Sequence, residues 1–349
     1  MIWYSLITSL CFVQYLVARG AKSTIFKATG IVLLLIFSTF SALRGMVGTD
    51  TWSYYSIVEQ IRYNTLIGIE PGFVALTRFL TLVSDSNSLV VGGFAVLFFS
   101  IIAIFLYNST RIEAIYLFGF FAPQYFVMYS MNGLRIGLAS AIFLISVQFW
   151  RMNRTVLCVV LLMLSISFHF SILIAIAVFF LFVGNSVGLR SQLLRLSVVV
   201  SLVVASLSLQ SYFSEQVATY STFQKLGFLS GVSFLAKISI LMLFIWGIPM
   251  PRKEIFSKFA ICVVVTLTCY GIASVSYAGL RMLDIVAWVL PLLFIYSVDR
   301  GVPMGKRYSL GLGIAGLIGA IGVLRNILDS SGHGIASFLP YHFFWEVAL

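Results

Sequence analysis

The side chains able to do chemistry are few in this chain and fall in short, dense groups. The first is SALRGMVGTDTWSYY, residues 41–55, which carries Arg44, Asp50 and two tyrosines. Glu70 follows in EPGF at 70–73. The tripeptide Gly-Leu-Arg occurs twice, as Gly133-Leu134-Arg135 and Gly279-Leu280-Arg281, and His169 stands in SISFHFSIL. An arginine near a helix start sits where the macrodipole is already positive, which is unfavourable unless an anion lies between. Two helix starts, each with a guanidinium, suit a phosphate or pyrophosphate. Pairing with Asp50, Glu70 or Asp284, or reaching out to lipid headgroups, would satisfy the same arginines. Arg44 closes an apolar run, where a cation suits either the negative helix end or a phosphate. His169 reads as a hydrogen-bonded core residue or as a proton acceptor or hydroxyl ligand.

The elements that must position these residues follow from composition. Of 349 residues, 60% are hydrophobic and 9% charged, against roughly 25% charged in a soluble domain. Continuous apolar runs near the bilayer-spanning length predict an all-α polytopic membrane protein rather than a barrel of alternating strands. The expected spans are 2–18, 28–43, 88–107, 112–130, 133–150, 155–168, 170–183, 193–210, 232–248, 259–276, 283–298 and 308–325. The first run has its positive charges after it and none before, so it reads as a span that stays. The whole chain, 1–349, reads as a single transmembrane domain.

Charge sets the orientation. With residues 19–27 cytoplasmic, fourteen of the 22 Lys and Arg residues fall on the inner face and eight on the outer, as the positive-inside rule requires. The formal net charge of +11 is therefore a topology signal and not a nucleic-acid footprint. The outer face receives most of the acids, and with them the segments 44–87, 211–231 and 326–349. Within the first, DTWSYYSIVEQIR predicts an amphipathic helix with Asp50 placed to cap it. PGFVALTRFLTLV predicts a second, with Pro71 in its first turn. Aromatic residues such as Tyr212, Phe213, Tyr220 and Phe223 suit either a sugar chain or the headgroup layer.

Several chemistries leave no trace. No Walker loop and no GxGxxG followed by an acidic residue is seen, and no DxD pair that would hold a metal for a nucleotide sugar. The three histidines and Cys11, Cys158, Cys262 and Cys269 lack metal-ligand spacing, so no metal is expected. The cysteines all fall in apolar runs and read as core residues.

In this order and spacing, LRGMVGTDTWSYY, EPGF, NGLRIGLASAIF and SFHFSIL resemble the EpsG family of bacterial membrane proteins, relatives of the Wzy-type polysaccharide polymerases. The motifs cover roughly residues 40–180, with YAGLRMLD and PYHFF beyond. The resemblance implies a GT-C-like membrane glycosyltransferase of about twelve spans at the periplasmic face of the bacterial inner membrane. It would polymerise undecaprenyl-diphosphate-linked oligosaccharide repeat units by moving the growing chain onto the next lipid-linked unit. It implies no cofactor and no nucleic-acid partner; beside the bilayer, a flippase and a chain-length regulator of the same pathway are the implied partners. Carried onto this sequence, Arg135, Arg281 and Arg44 would contact the pyrophosphate. Asp50, His169 and Glu70 are the alternative bases, in the order Asp50, then His169, with Glu70 also able to orient an arginine. Gly48, Thr49, Tyr54 and Tyr277 would contact sugar. An O-antigen ligase-type transferase and a flippase or transporter of lipid-linked oligosaccharides are the competing classes. A transporter would carry its charges through to the inner face, whereas here they stop near the outer half.

Overall fold

The computed structural model describes residues 1–65, 68–183, 231–274, 276–298, 302–329 and 337–346. The expected span 193–210 and residues 211–230 of the expected outer loop lie outside the described residues. The described chain is helical: α1 (Ile2–Gly20), α2 (Ser23–Ala42), α3 (Thr51–Arg62), α4 (Pro71–Val83), α5 (Asn87–Asn108), α6 (Arg111–Tyr116), α7 (Ala122–Val127), α8 (Leu134–Arg151), α9 (Thr155–Phe168), α10 (Ile172–Phe182), α11 (Val232–Phe244), α12 (Arg252–Ala273), α13 (Tyr277–Ser297) and α14 (Lys306–Asp329). Among the described residues, seven helices are long and apolar enough to cross a membrane: α1, α2, α5, α8, α12, α13 and α14. Four shorter apolar helices, at 71–83, 155–168, 172–182 and 232–247, accompany them. Apolar side chains such as Leu16, Val32, Leu35 and Ile36 point outward, where lipid tails would cover them.

The expected span 112–130 is helical but interrupted. Wide π-helical turns occupy Leu117–Phe121 and Met128–Asn132 on either side of α7. Pro123 has no N–H to offer the Gly119 carbonyl, which favours the first widening. The second closes with the Gly133 N–H on the Met128 carbonyl at 2.7 Å. Gly133 then starts α8.

The chain divides into two compact units, Met1–Phe170 with Gly319–Leu349, and Ser171–Ile318. In the first, α2 packs on α5, α5 on α8, and α8 on α9, with α3 and α4 against each other and against α5. A core of Phe37, Phe98, Phe99 and Phe126 rings fills it. Buried polar side chains tie neighbouring helices: Gln14 donates to the Phe26 carbonyl, Gln148 to Phe105 and Ser165 to Ala139. Such bonds are favoured where no water competes. In the second unit α13 packs on α10, α11 and α12. Lys258 of α12 is buried and donates to the Phe182 and Val183 carbonyls at the end of α10, where a cation suits the negative helix terminus. Cys11, Cys158, Cys262 and Cys269 are all buried and free, as core residues should be.

Candidate active site

Glu70 is the centre of the site. Proline at the first position of α4 needs no N–H partner and sets the helix start, leaving Glu70 at the cap position. Its carboxylate does not cap the helix. Instead one oxygen accepts from Arg135 Nη1 at 2.7 Å and the other meets His169 Nδ1 at 2.6 Å. Glu70 is fully buried, whereas the Arg135 side chain keeps 27% of its surface exposed. Of the pair, only Arg135 therefore reaches the surface of the cluster.

Local sequence makes this convergence possible. Arg135 is the second residue of α8, so the helix start and the guanidinium coincide as expected. α9 ends at Phe168 and His169 adopts an extended conformation, which turns the ring out of the helix. Gly72, in the first turn of α4, packs directly on Ser167; a Cβ there would collide with the Ser167 side chain and carbonyl. That close approach brings Glu70 to His169. The Phe73 ring lies 6.0 Å from the Arg135 guanidinium, a cation–π distance.

Electrostatics fix the protons. Burial alone would raise the Glu70 carboxyl, but the His169 hydrogen bond and the Arg135 charge outweigh it and hold it at about 2. Glu70 is thus ionised at neutral pH and can only accept. With Glu70 ionised, the hydrogen between it and His169 belongs to Nδ1. A carboxylate held so acidic is a poor base.

The loop before α3 adjoins this cluster. Tyr54 is buried and interacts with the Arg135 guanidinium, and it feels the charge of Asp50 one turn earlier. Asp50 holds the cap position of α3, as expected, but makes no side-chain cap bond. Asn132 Oδ1 instead accepts from the Asp50 N–H at 2.9 Å and the Thr49 hydroxyl at 3.1 Å. Gly48 has φ +105°, and a Cβ there would sit 3.1 Å from the Met131 carbonyl. The close approach it allows is to the turn before α8. On its other side the loop is strapped by the C-terminal segment: Gly45 N–H to His342 O, Phe344 N–H to Leu43 O and Gly48 N–H to Ser337 O.

Arg44, four residues before Gly48, is 2% exposed. Its Nη1 donates to the Ser41 and Ser130 carbonyls at 2.8 and 3.0 Å, which is the helix-end chemistry the sequence allowed. Nε and Nη2 have no hydrogen-bond partner. Burial lowers its pKa to about 10, so it stays cationic at neutral pH.

Arg281 and Tyr277 belong to the second unit. Tyr277 opens α13 behind a Ser276 cap, whose hydroxyl accepts from the Ala278 N–H. The Arg281 guanidinium lies 5.7 Å from the Tyr277 ring. Gly279 packs on the backbone of Ile272 and Ala273. The structure thus gathers Glu70, Arg135, His169 and Tyr54 in one cluster beside the Gly48-Thr49-Asp50 loop, and pairs Tyr277 with Arg281. Asn132 and Phe73 are neighbours of this cluster that sequence reasoning did not single out, although both lie inside the motifs NGLR and EPGF.

The EpsG family model matches this chain over residues 27–343. No curated protein and no solved structure matches it.

Proposed function

Because the chain belongs to the EpsG family, whose members are Wzy-like polymerases, we propose that it is a membrane glycosyltransferase that polymerises undecaprenyl-diphosphate-linked oligosaccharide repeat units. It would work at the periplasmic face of the inner membrane on a GT-C-like scaffold of about twelve spans. The observation that carries the reading is the buried Glu70 carboxylate holding Arg135 and His169 together.

In the reaction, a hydroxyl oxygen of the incoming unit attacks the anomeric carbon of the donor chain. The bond from that carbon to the diphosphate breaks, and the diphosphate leaves with the electron pair. The hydroxyl proton goes to His169 Nε2, the other nitrogen of the ring that Glu70 orients. Arg135, partly exposed and at a helix start, stabilises the diphosphate charge as it develops. Arg281, at the second Gly-Leu-Arg, is assigned a phosphate contact from the second unit. Asp50, on the loop facing Tyr54, is assigned to the hydroxyls of the acceptor sugar. Glu70 acts as a positioning residue, and Arg44 as a brace on the Ser41 and Ser130 carbonyls.

The test is a deletion host complemented with wild type or with Arg135→Ala, Arg281→Ala, Asp50→Asn or His169→Ala, its surface glycan resolved on a gel. A polymerase gives a ladder with wild type. The arginine and histidine variants collapse it to single-unit products at normal protein levels. Unchanged ladders in all four would overturn the proposal. Loss of every lipid-linked unit from the outer leaflet would point to a flippase.

A further inference from the structure

We infer that Asn132 is a positioning residue that holds the acceptor-side loop in register with the diphosphate-side arginine. The inference rests on the proposed function and adds a residue to it. Asn132 ends the second π-helical turn, three positions before Arg135. A single amide oxygen accepts two hydrogen bonds, from the Asp50 main chain and the Thr49 side chain. Two lone pairs meet two donors, so that oxygen is fully used.

Other bonds also hold the loop: the Tyr54 N–H reaches the Asp50 carbonyl, the Thr51 N–H the Gly48 carbonyl, and the Thr49 hydroxyl lies 3.5 Å from Asp50 Oδ1. The C-terminal strap reaches Leu43, Gly45 and Gly48, and the Thr51 hydroxyl bonds back to the Val47 carbonyl. Asn132 ties Thr49 and the Asp50 main chain to the start of α8. Its own backbone belongs to the turn that starts α8, so one short stretch of main chain carries both this contact and Arg135. The Gly48 conformation, φ +105°, serves the same contact by letting the loop lie against Met131 and Asn132. An isolated cap would need none of this, because Asp50 does not cap α3.

The consequence is a division of labour that kinetics can read. Losing the Asn132 oxygen removes the tie between the Thr49-Asp50 loop and the start of α8 without removing the His169–Glu70 pair. Binding of the acceptor should suffer more than turnover. The probe is the lipid-linked repeat unit extracted from the deletion host, given to full-length enzyme in native membranes. Asn132→Ala is expected to raise KM about tenfold, the loss of two neutral hydrogen bonds, with kcat within about twofold. Asn132→Asp keeps an acceptor oxygen and is expected to restore most of the affinity. Thr49→Val alone should raise KM modestly, and in the Asn132→Ala background it should add nothing, because both remove the same bond.

An unchanged KM in Asn132→Ala overturns the inference, as does full additivity of the two substitutions. A fall in kcat with constant KM, which a merely structural residue would give through lost active enzyme, also overturns it. Failure of the underlying reading looks different: His169→Ala and Arg135→Ala would then polymerise normally.

Discussion

Replacing Glu70 by glutamine is the sharpest perturbation the structure offers. The side chain is fully buried, and each oxygen serves one partner, Arg135 at 2.7 Å and His169 at 2.6 Å. Glutamine keeps the shape but supplies one acceptor and one amide donor. Whichever way it turns, a donor faces a donor. Removing one partner from a buried ion pair costs about 3–5 kcal/mol. The remaining amide acceptor and the partial exposure of Arg135 place this case at the lower end, about 3 kcal/mol. The drop of the carboxyl from 4.5 to about 2 corresponds to roughly the same free energy at 1.36 kcal/mol per unit. For a unit of this size, about 3 kcal/mol should lower the melting temperature by about 6–12 °C. The catalytic loss is expected to be larger in proportion. His169 loses the acceptor that fixes its tautomer, and an oriented base is worth about 10²–10⁴ in rate. The assay pairs tryptophan-fluorescence melting of detergent-purified protein with ladder formation from lipid-linked repeat units, both below the new melting temperature. A lower melting temperature with a wild-type ladder would reduce the cluster to a structural staple and refute its catalytic role. No change in either would refute the ion-pair reasoning altogether.

Three further outcomes follow from the same geometry. Glu70 has a depressed pKa, so its stabilisation is present above the unfolded value of 4.5 and is lost as pH falls toward about 2. Acid titration of melting should show a decline through that window that Glu70→Gln flattens. Gly72→Ala drives a Cβ into Ser167 and should destabilise by about 1–3 kcal/mol while lowering the polymerisation rate, measured by melting and ladder density; wild-type behaviour would show that α4 is not held against α9. Arg135→Lys keeps the charge but loses the planar fork that meets Glu70 while leaving an edge for substrate. It should fold like wild type and lose at least about tenfold in rate, measured on the same ladders; full activity would show that a point charge suffices.

Much of the architecture was legible before any coordinates. Long apolar runs read as helices because a chain without water to solvate its amides must close its hydrogen bonds locally. α2, α5, α8 and α9 fall where those runs lie, and α3 and α4 where the amphipathic pattern and Pro71 put them. The interrupted segment at 111–132 was less legible. Its hydropathy is continuous, and only Pro123 and Gly133 hint at the widened turns. The amphipathic tyrosine at 54 suggested a sugar platform, yet it is buried against Arg135. Gly48 suggested a close approach of the loop to substrate; the structure shows its left-handed backbone lying close to Met131 and Asn132.

By itself the sequence determined which residues were candidates, because charge is so scarce in this chain that each buried or helix-end ion stands out. It also determined that Arg135 would sit at a helix start, a matter of local spacing. What only the tertiary structure decided was the pairing. Glu70 finds Arg135 65 residues away and His169 99 residues away, and Asn132 meets Asp50 across 82. Hydrogen bonds and ion pairs act over a few ångströms, so their partners depend on which helix ends the packing brings together. No periodicity along the chain records that choice.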